Sequence, residues 1–375
     1  MAVRLPRVAS RQVVALSAAA LLLGVAASAD AGFAGRLAAK PRDAPGVPAI
    51  GVVIRQAQAS GQAADSPELR ALIAGAEAGD PVAQNALGER LENGEGVPKN
   101  FAAAARWYRR AAGQGLAEAA LNLGTLYENG EGVELDLGEA AKWYRQAATG
   151  GEVLAQLTLG LMYRNGRGVP RDDAEAVRWL RAVADRGFAI GQINLAFMYL
   201  DGLGVERDDA RAAALLAKAA ARGHPVAQNN LALLHAAGHG VPRDLELAAK
   251  WHEKAARQGL ANAQYRLGLL YERGQGVAKD ESEAARWYRQ AAAQGEIPAQ
   301  ARLGLMYLDG RGVAQDDVLA FAWLDLAAAR VTDQALRERA ARAQANLKER
   351  MSSADLAAAR AKFNELRNTG GAPAS

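Results

Sequence analysis

The residues able to do chemistry are few, and their spacing argues against most of it. Four histidines, His224, His235, His239 and His252, share one stretch. His235 and His239 stand four apart, the spacing of two metal ligands on one helix face. Gly238 lies between them and is expected to end that helix. His235 and His252 also fill positions that hold Tyr elsewhere in the chain, so both read as aromatic replacements in a packed seam. Between the leader and the tail the serines are Ser60, Ser66, Ser282, Ser352 and Ser353. Ser282 sits in Asp280-Glu281-Ser282-Glu283, an acidic first helical turn with no base nearby in sequence, so nucleophilic catalysis lacks its parts. There is no cysteine, hence no thiol nucleophile, no disulfide frame and no site for a lipid anchor. Gly-x-Gly turns before helices can cradle phosphate. Each turn here lacks the Lys-Ser/Thr of a P-loop, and the turn recurs throughout the chain, which marks it as structural. No enzyme activity, metal or cofactor is expected.

What organises the chain is the recurrence itself. The tetrad Gly-x-Gly-Val occupies 94–97, 130–133, 166–169, 202–205, 238–241, 274–277 and 310–313, always 36 residues apart. A fixed period of this length marks a stacked array of supersecondary units. The six tryptophans, Trp107, Trp143, Trp179, Trp251, Trp287 and Trp323, keep the same register, and Leu215 fills the one skipped place. An aromatic placed this regularly is a packing element between helices.

Each unit reads as two helices. Ala263, Leu267, Leu270 and Tyr271 fall at i, i+4, i+7 and i+8, one face of a first helix, helix A. Gly274 then stops it. Gly268 lies inside helix A, and its equivalents are Gly88, Gly124, Gly160, Ala196, Ala232 and Gly304. Only small residues occur there, which predicts close helix–helix approach. Three residues past each tetrad stands Asn100, Asp136, Asp172, Asp208, Asp244, Asp280 or Asp316, all strong N-cap types for a second helix, helix B. Glu139, Glu175 and Glu283 follow at the place of a capping-box partner. Half of the residues are hydrophobic but only 6% aromatic, which suits thin helix–helix seams rather than a thick core.

The unit A-x-x-x-L-G-x-x-Y-x-x-G-x-G-V, followed by A-x-x-W-Y-x-x-A-A-x-x-G, resembles the Sel1-like repeat, a relative of the tetratricopeptide repeat. The resemblance covers about 79–331. Departures are mild: His235 stands for Tyr, Leu215 for Trp, and Leu91 for Tyr. It implies an all-α fold, a right-handed α-solenoid of seven 36-residue helix-turn-helix units with helical caps. It also implies a protein-interaction scaffold that binds a partner along a concave face lined by helix A.

By that likeness three rows line the groove. The first is Asn85, Leu121, Leu157, Ile193, Asn229, Tyr265 and Ala301. The second is Glu89, Thr125, Leu161, Phe197, Leu233, Leu269 and Leu305, whose leucines have seam filling as the alternative role. The third is Glu92, Glu128, Arg164, Leu200, Ala236, Glu272 and Leu308. The N-terminal end is acidic and the middle apolar, as suits a peptide or helix laid along it. The partner-binding candidates are Asn85, Glu89, Glu92, Arg164, Phe197, Asn229, Tyr265 and Glu272. Some secreted members of the family are linked to penicillin-type ligands. A cell-wall binding protein or hydrolase acting on peptidoglycan-type material is therefore the alternative function. Those members carry a cysteine frame that is missing here.

In chain order, residues 1–29 read as a signal peptide: Arg4, Arg7 and Arg11, an apolar stretch over 13–27, then Ala27-Ser28-Ala29 for cleavage. An uncleaved anchor is the alternative, and the one route to a membrane. Residues 30–66 are rich in Ala, Pro and Gly and read as a flexible linker. A capping helix is expected over 67–78, two more over 333–349 and 354–366, and a loose tail over 368–375. The formal charge of +4 falls by three when the acid-free leader is removed, so nothing points to nucleic acid. The expected protein is bacterial and periplasmic or secreted, with a protein or peptide partner in the cell envelope.

Overall fold

A computed structural model describes residues 66–368 apart from residue 329. Of the two units into which the chain divides, the described residues lie in Ile54–Ser375. The expected leader, the linker up to residue 65 and the last seven residues lie outside them.

The described residues form seventeen helices and no strand. The first, α1, is Pro67–Glu77, capped by Ser66 Oγ, which accepts from the Leu69 amide. Seven A helices then alternate with seven B helices. The A series is α2 (Pro81–Asn93), α4 (Ala117–Asn129), α6 (Val153–Asn165), α8 (Ala189–Asp201), α10 (Pro225–Ala237), α12 (Ala261–Arg273) and α14 (Ile297–Asp309). The B series is α3 (Phe101–Gly113), α5 (Leu137–Thr149), α7 (Asp173–Asp185), α9 (Asp209–Ala221), α11 (Leu245–Arg257), α13 (Glu281–Ala293) and α15 (Asp317–Ala327). Two longer helices close the array, α16 (Gln334–Arg350) and α17 (Ser353–Asn368). Each A or B helix packs on its neighbours in the chain, so the architecture is an α-solenoid.

The expected caps form in every unit. The side chains of Asn100, Asp136, Asp172, Asp208, Asp244, Asp280 and Asp316 each accept from the amides of the first turn of a B helix. The capping boxes do not form. The cap residue's own N–H already donates to a carbonyl of the preceding A helix, as from Asp280 to Tyr271 at 3.0 Å and from Asp136 to Tyr127 at 3.0 Å. With that donor satisfied, Glu139, Glu175 and Glu283 turn outward onto Lys142, Arg178 and Arg286.

The Gly-x-Gly turn is a joint between units. Gly274 ends α12 in the left-handed conformation at φ 65°. Gly276, at φ 72°, lies against the start of α11, and a Cβ there would collide with the Leu245 carbonyl. The turn is thus closed by backbone of the preceding unit, not open to a phosphate. A glutamine bridge adds to the joint. Gln84, Gln156, Gln228, Gln264 and Gln300 each donate to a carbonyl eight residues back, satisfying an orphan acceptor at the end of the preceding helix. The second unit has Ala120 in that place, and Gln146 supplies the bond to Ala112 instead.

Trp107, Trp179, Trp287 and Trp323 are buried in the seams, while Trp143 and Trp251 are partly exposed. Trp287 packs on Ala255, Ala256, Ala263 and Leu267. Its indole N–H, like those of Trp143 and Trp179, meets no acceptor, so these rings are there for their surface. At the C-terminal edge, α16 lays Leu336, Ala340 and Leu347 on Ala301, Leu305 and Leu324. Leu366 and Phe363 of α17 pack with Trp323 and Ala285.

Candidate interaction face

Helix A has two sides. One, carrying Leu87, Leu123, Leu159, Leu231, Leu267 and Leu303, is sealed in the core. The other carries the three expected groove rows. The third row is partly exposed along its whole length, from Glu92 through Leu200 to Leu308. In the second row Glu89, Thr125, Leu161, Phe197, Leu233 and Leu269 are partly exposed, and only Leu305 is buried, under α16. In the first row Leu121, Leu157 and Tyr265 are half-exposed, whereas Asn85, Ile193, Asn229 and Ala301 are buried. Asn85 and Asn229 therefore belong to the seam. Asn85 donates to Glu89 at 2.9 Å and accepts from Asn122 at 3.1 Å. Asn229 Oδ1 faces His252 Nδ1 at 3.1 Å. A further row, absent from the sequence expectation, begins at Val82 and runs through Glu118, Leu154 and Ile190. Val82 is 63% exposed and Leu154 38%.

The acids of the third row are held in place by tyrosines. Tyr108 donates to Glu92 at 2.7 Å, Tyr144 to Glu128 at 2.6 Å and Tyr288 to Glu272 at 2.7 Å. Where the tyrosine slot holds Leu180, Leu216, His252 or Leu324, the third row holds Arg164, Leu200, Ala236 or Leu308. Glu occurs in that row only opposite Tyr, a pairing sixteen residues apart that the sequence displays. Burial, and then the neighbouring glutamate, push these phenols well above their ordinary range, so they are permanent donors. The facing side chain of helix B accounts for the small slot: a Cβ on Gly268 would lie 2.6 Å from Tyr288 Cε1, and one on Gly304 2.9 Å from Leu324 Cγ.

The electrostatics differ between the ends. Burial raises the Glu272 carboxyl, but the Tyr288 hydroxyl and the charges of Arg302 and Arg311 outweigh it and hold it below the usual carboxylate range. Arg302 lies 2.8 Å from it and Arg311 3.4 Å. At the other end burial pushes Glu89 up, and the charge of Glu118 pushes it further. Glu118 is raised likewise by burial and by Glu152. In the middle, Arg164, Phe197, Leu161 and Leu233 are partly exposed.

The remaining candidates have structural roles. The helix ends at Gly238 as expected, and among the described residues no three His, Asp or Glu side chains group to hold a metal. His235 Nδ1 lies 3.3 Å from the Pro242 carbonyl, and His239 is exposed in the turn. His252 is buried, which lowers its pKa to about 3, with a smaller contribution from Arg266. Ser282 Oγ donates to the capping Asp280 at 2.7 Å. Among the described residues no helix is long and apolar enough to cross a membrane.

The model of one family, the Sel1 repeat, matches seven successive segments: 81–116, 117–152, 153–188, 189–224, 225–260, 261–296 and 297–330. No curated protein matches the chain. Among solved structures, a Sel1 repeat protein from Oxalobacter formigenes is 34% identical, with 79% of this chain and 90% of that one covered and a TM-score of 0.65. A protective antigen of uropathogenic Escherichia coli strains, displaying the same repeat fold, is 28% identical over 80% of this chain and 86% of that one, with a TM-score of 0.47.

Proposed function

This chain belongs to the Sel1 repeat family, and on that premise we propose that it is an exported scaffold of the bacterial cell envelope that binds a protein partner along its helix A face. Sel1 repeat proteins are interaction scaffolds, so the family supports binding rather than catalysis. The observation that carries the reading is the row of apolar side chains left partly exposed in the middle of the array: Leu161, Phe197, Leu200 and Leu233. On their opposite side the same helices bury Leu159, Leu195 and Leu231, so the exposed apolar side chains lie on the groove side. Contiguous apolar surface with a polar rim is the usual mark of an interaction site. Export rests on the basic, apolar and small-residue pattern of residues 1–29. The partner acts by occupying the face. Its binding energy would concentrate on the aromatic and arginine side chains there, Phe197, Tyr265 and Arg164.

The test pairs location with binding. N-terminal sequencing of the protein recovered from the periplasm should begin near residue 30, and a chain still beginning at Met1 in the membrane would mean an anchor. The Leu161→Ala/Phe197→Ala variant should keep its helical circular dichroism and lose affinity for the captured envelope protein by tenfold or more, roughly the cost of one hot spot. Equal affinity in the variant would remove the face from the account.

A further inference from the structure

Three glutamates line the N-terminal end of the face, each on or capping one of the first three A helices: Glu89 on α2, Glu118 on α4 and Glu152, the N-cap residue of α6. All three are partly buried, and among the described residues none has a Lys or Arg within ion-pair distance. Arg186 donates to the Gly151 carbonyl at 2.6 Å. Burial raises the carboxyls of Glu89 and Glu118, and the charge of the next acid in the ladder raises each further. Glu128 beside them has Arg167 at 2.9 Å and takes no part.

The C-terminal end of the same face shows how such acids are ordinarily satisfied. One row, directly before the buried leucine of each A helix, carries Arg266 and Arg302 in the last two units. In the first three it carries Ala86, Asn122 and Thr158. Arg302 sits on Glu272 at 2.8 Å, while at Glu296, in the slot of Glu152, burial raises the carboxyl and the charge of Arg266 offsets only part of that. A guanidinium thus fits the face where the chain supplies one. At the N-terminal end the equivalent place is filled by an amide chain, Asn122 to Asn85 to Glu89, which brings no charge. The acids there are interleaved with exposed Val82 and Leu154 and half-exposed Leu121 and Leu157.

We propose that the N-terminal end of the face binds an extended basic segment of a partner protein, its Lys or Arg side chains about one unit apart and its apolar side chains between them. Successive A helices come close enough for Asn122 to donate to Asn85 at 3.1 Å, which sets them roughly 8–10 Å apart, and three residues of extended chain span about 10 Å. A cation at every third residue therefore meets one glutamate per A helix. The segment supplies the kind of charge that Arg302 supplies to Glu272 at the other end, and its apolar residues cover Val82 and Leu154. The proposal names the partner of the scaffold reading and rests on it.

The experiment is a fluorescence anisotropy titration of the full chain with labelled peptides of about nine residues, the length that crosses three units. One carries Lys at every third position with Leu between, one has the same composition with its Lys clustered, and one has Glu in place of Lys. The spaced peptide should bind at least about tenfold tighter than the clustered one, weaken as salt is raised, and exceed the acidic one by more. The triple variant Glu89→Gln/Glu118→Gln/Glu152→Gln should lose that preference while melting no lower than the native chain, because repulsion has been removed. Equal binding of spaced and clustered peptides, or undiminished binding by the triple variant, would overturn the proposal. If the peptides fail while Leu161→Ala/Phe197→Ala still weakens capture of the envelope protein, the basic segment is wrong and the scaffold stands. If capture is also unchanged, both fall.

Discussion

Replacing Gly268 with Ala tests the packing argument at one atom. In an isolated helix the change would stabilise by about 1 kcal/mol. In this protein the new methyl would lie 2.6 Å from Tyr288 Cε1, closer than real contacts allow. The ring cannot swing aside freely, because it is fully buried and its hydroxyl is fixed on Glu272 at 2.7 Å. Overpacking costs about 1–3 kcal/mol, and displacing a hydrogen bond to a charged group costs about 1.5–3 kcal/mol. Against the helical gain, the net expectation is a loss of roughly 2–4 kcal/mol. A solenoid need not unfold all at once, so the readout should be local: amide hydrogen exchange in α12 and α13, alongside urea denaturation. The chain holds its own control, since Ala196 stands opposite Leu216 in the fourth unit. Gly268→Ala combined with Tyr288→Leu should therefore cost less than the two single changes together, with a coupling of about 0.5–3 kcal/mol. A neutral or stabilising Gly268→Ala would refute the close-approach reading of the small slot.

Four further outcomes follow from the structure. Trp287→Ala should cost about 3–5 kcal/mol, seen as faster exchange in α11 through α13. Gly276→Ala should destabilise by several kcal/mol, because it combines a positive φ with a collision on Leu245; proteolysis should then cut near that turn. Buried His252, at about 3, binds fewer protons when folded than when unfolded, where its value is near 6.5. Its contribution is complete above pH 6.5 and is lost as pH falls from there toward 3, so His252→Leu should flatten the acid limb of a stability–pH curve. Glu118 has the opposite sign: its carboxyl is raised in the fold, so Glu118→Gln should raise the Tm at pH 7 and change it little at pH 4.

Much of the architecture is written in short-range terms, which is why it can be read from the chain. The Asp caps and the stop glycines act within one turn of helix, and the structure has them at the expected 36-residue period. The capping boxes fail for a reason that is not local: the donor they need is taken by a carbonyl nine residues back, as Asp136 donates to Tyr127. Asn85 and Asn229 look like groove residues in sequence, but their burial is set by the neighbouring unit, through Asn122 and His252. The Tyr–Glu bonds were legible in principle, because Glu92, Glu128 and Glu272 each precede a tyrosine by sixteen residues and no other unit has either residue of the pair. The ladder of Glu89, Glu118 and Glu152 was not, since it draws one residue from each of three places in the unit and becomes a row only when the units stack.

The central claim is that the helix A face is where a partner sits. It is tested most directly by placing a photo-cross-linking amino acid, one position at a time, at Leu161, Phe197 and Leu233 on that face and at Lys142, Arg178 and Arg286 on exposed positions of the B helices. In living cells the first set should yield a discrete adduct with one protein, and the second set should not. Adducts that form only from the B helix positions would contradict the account.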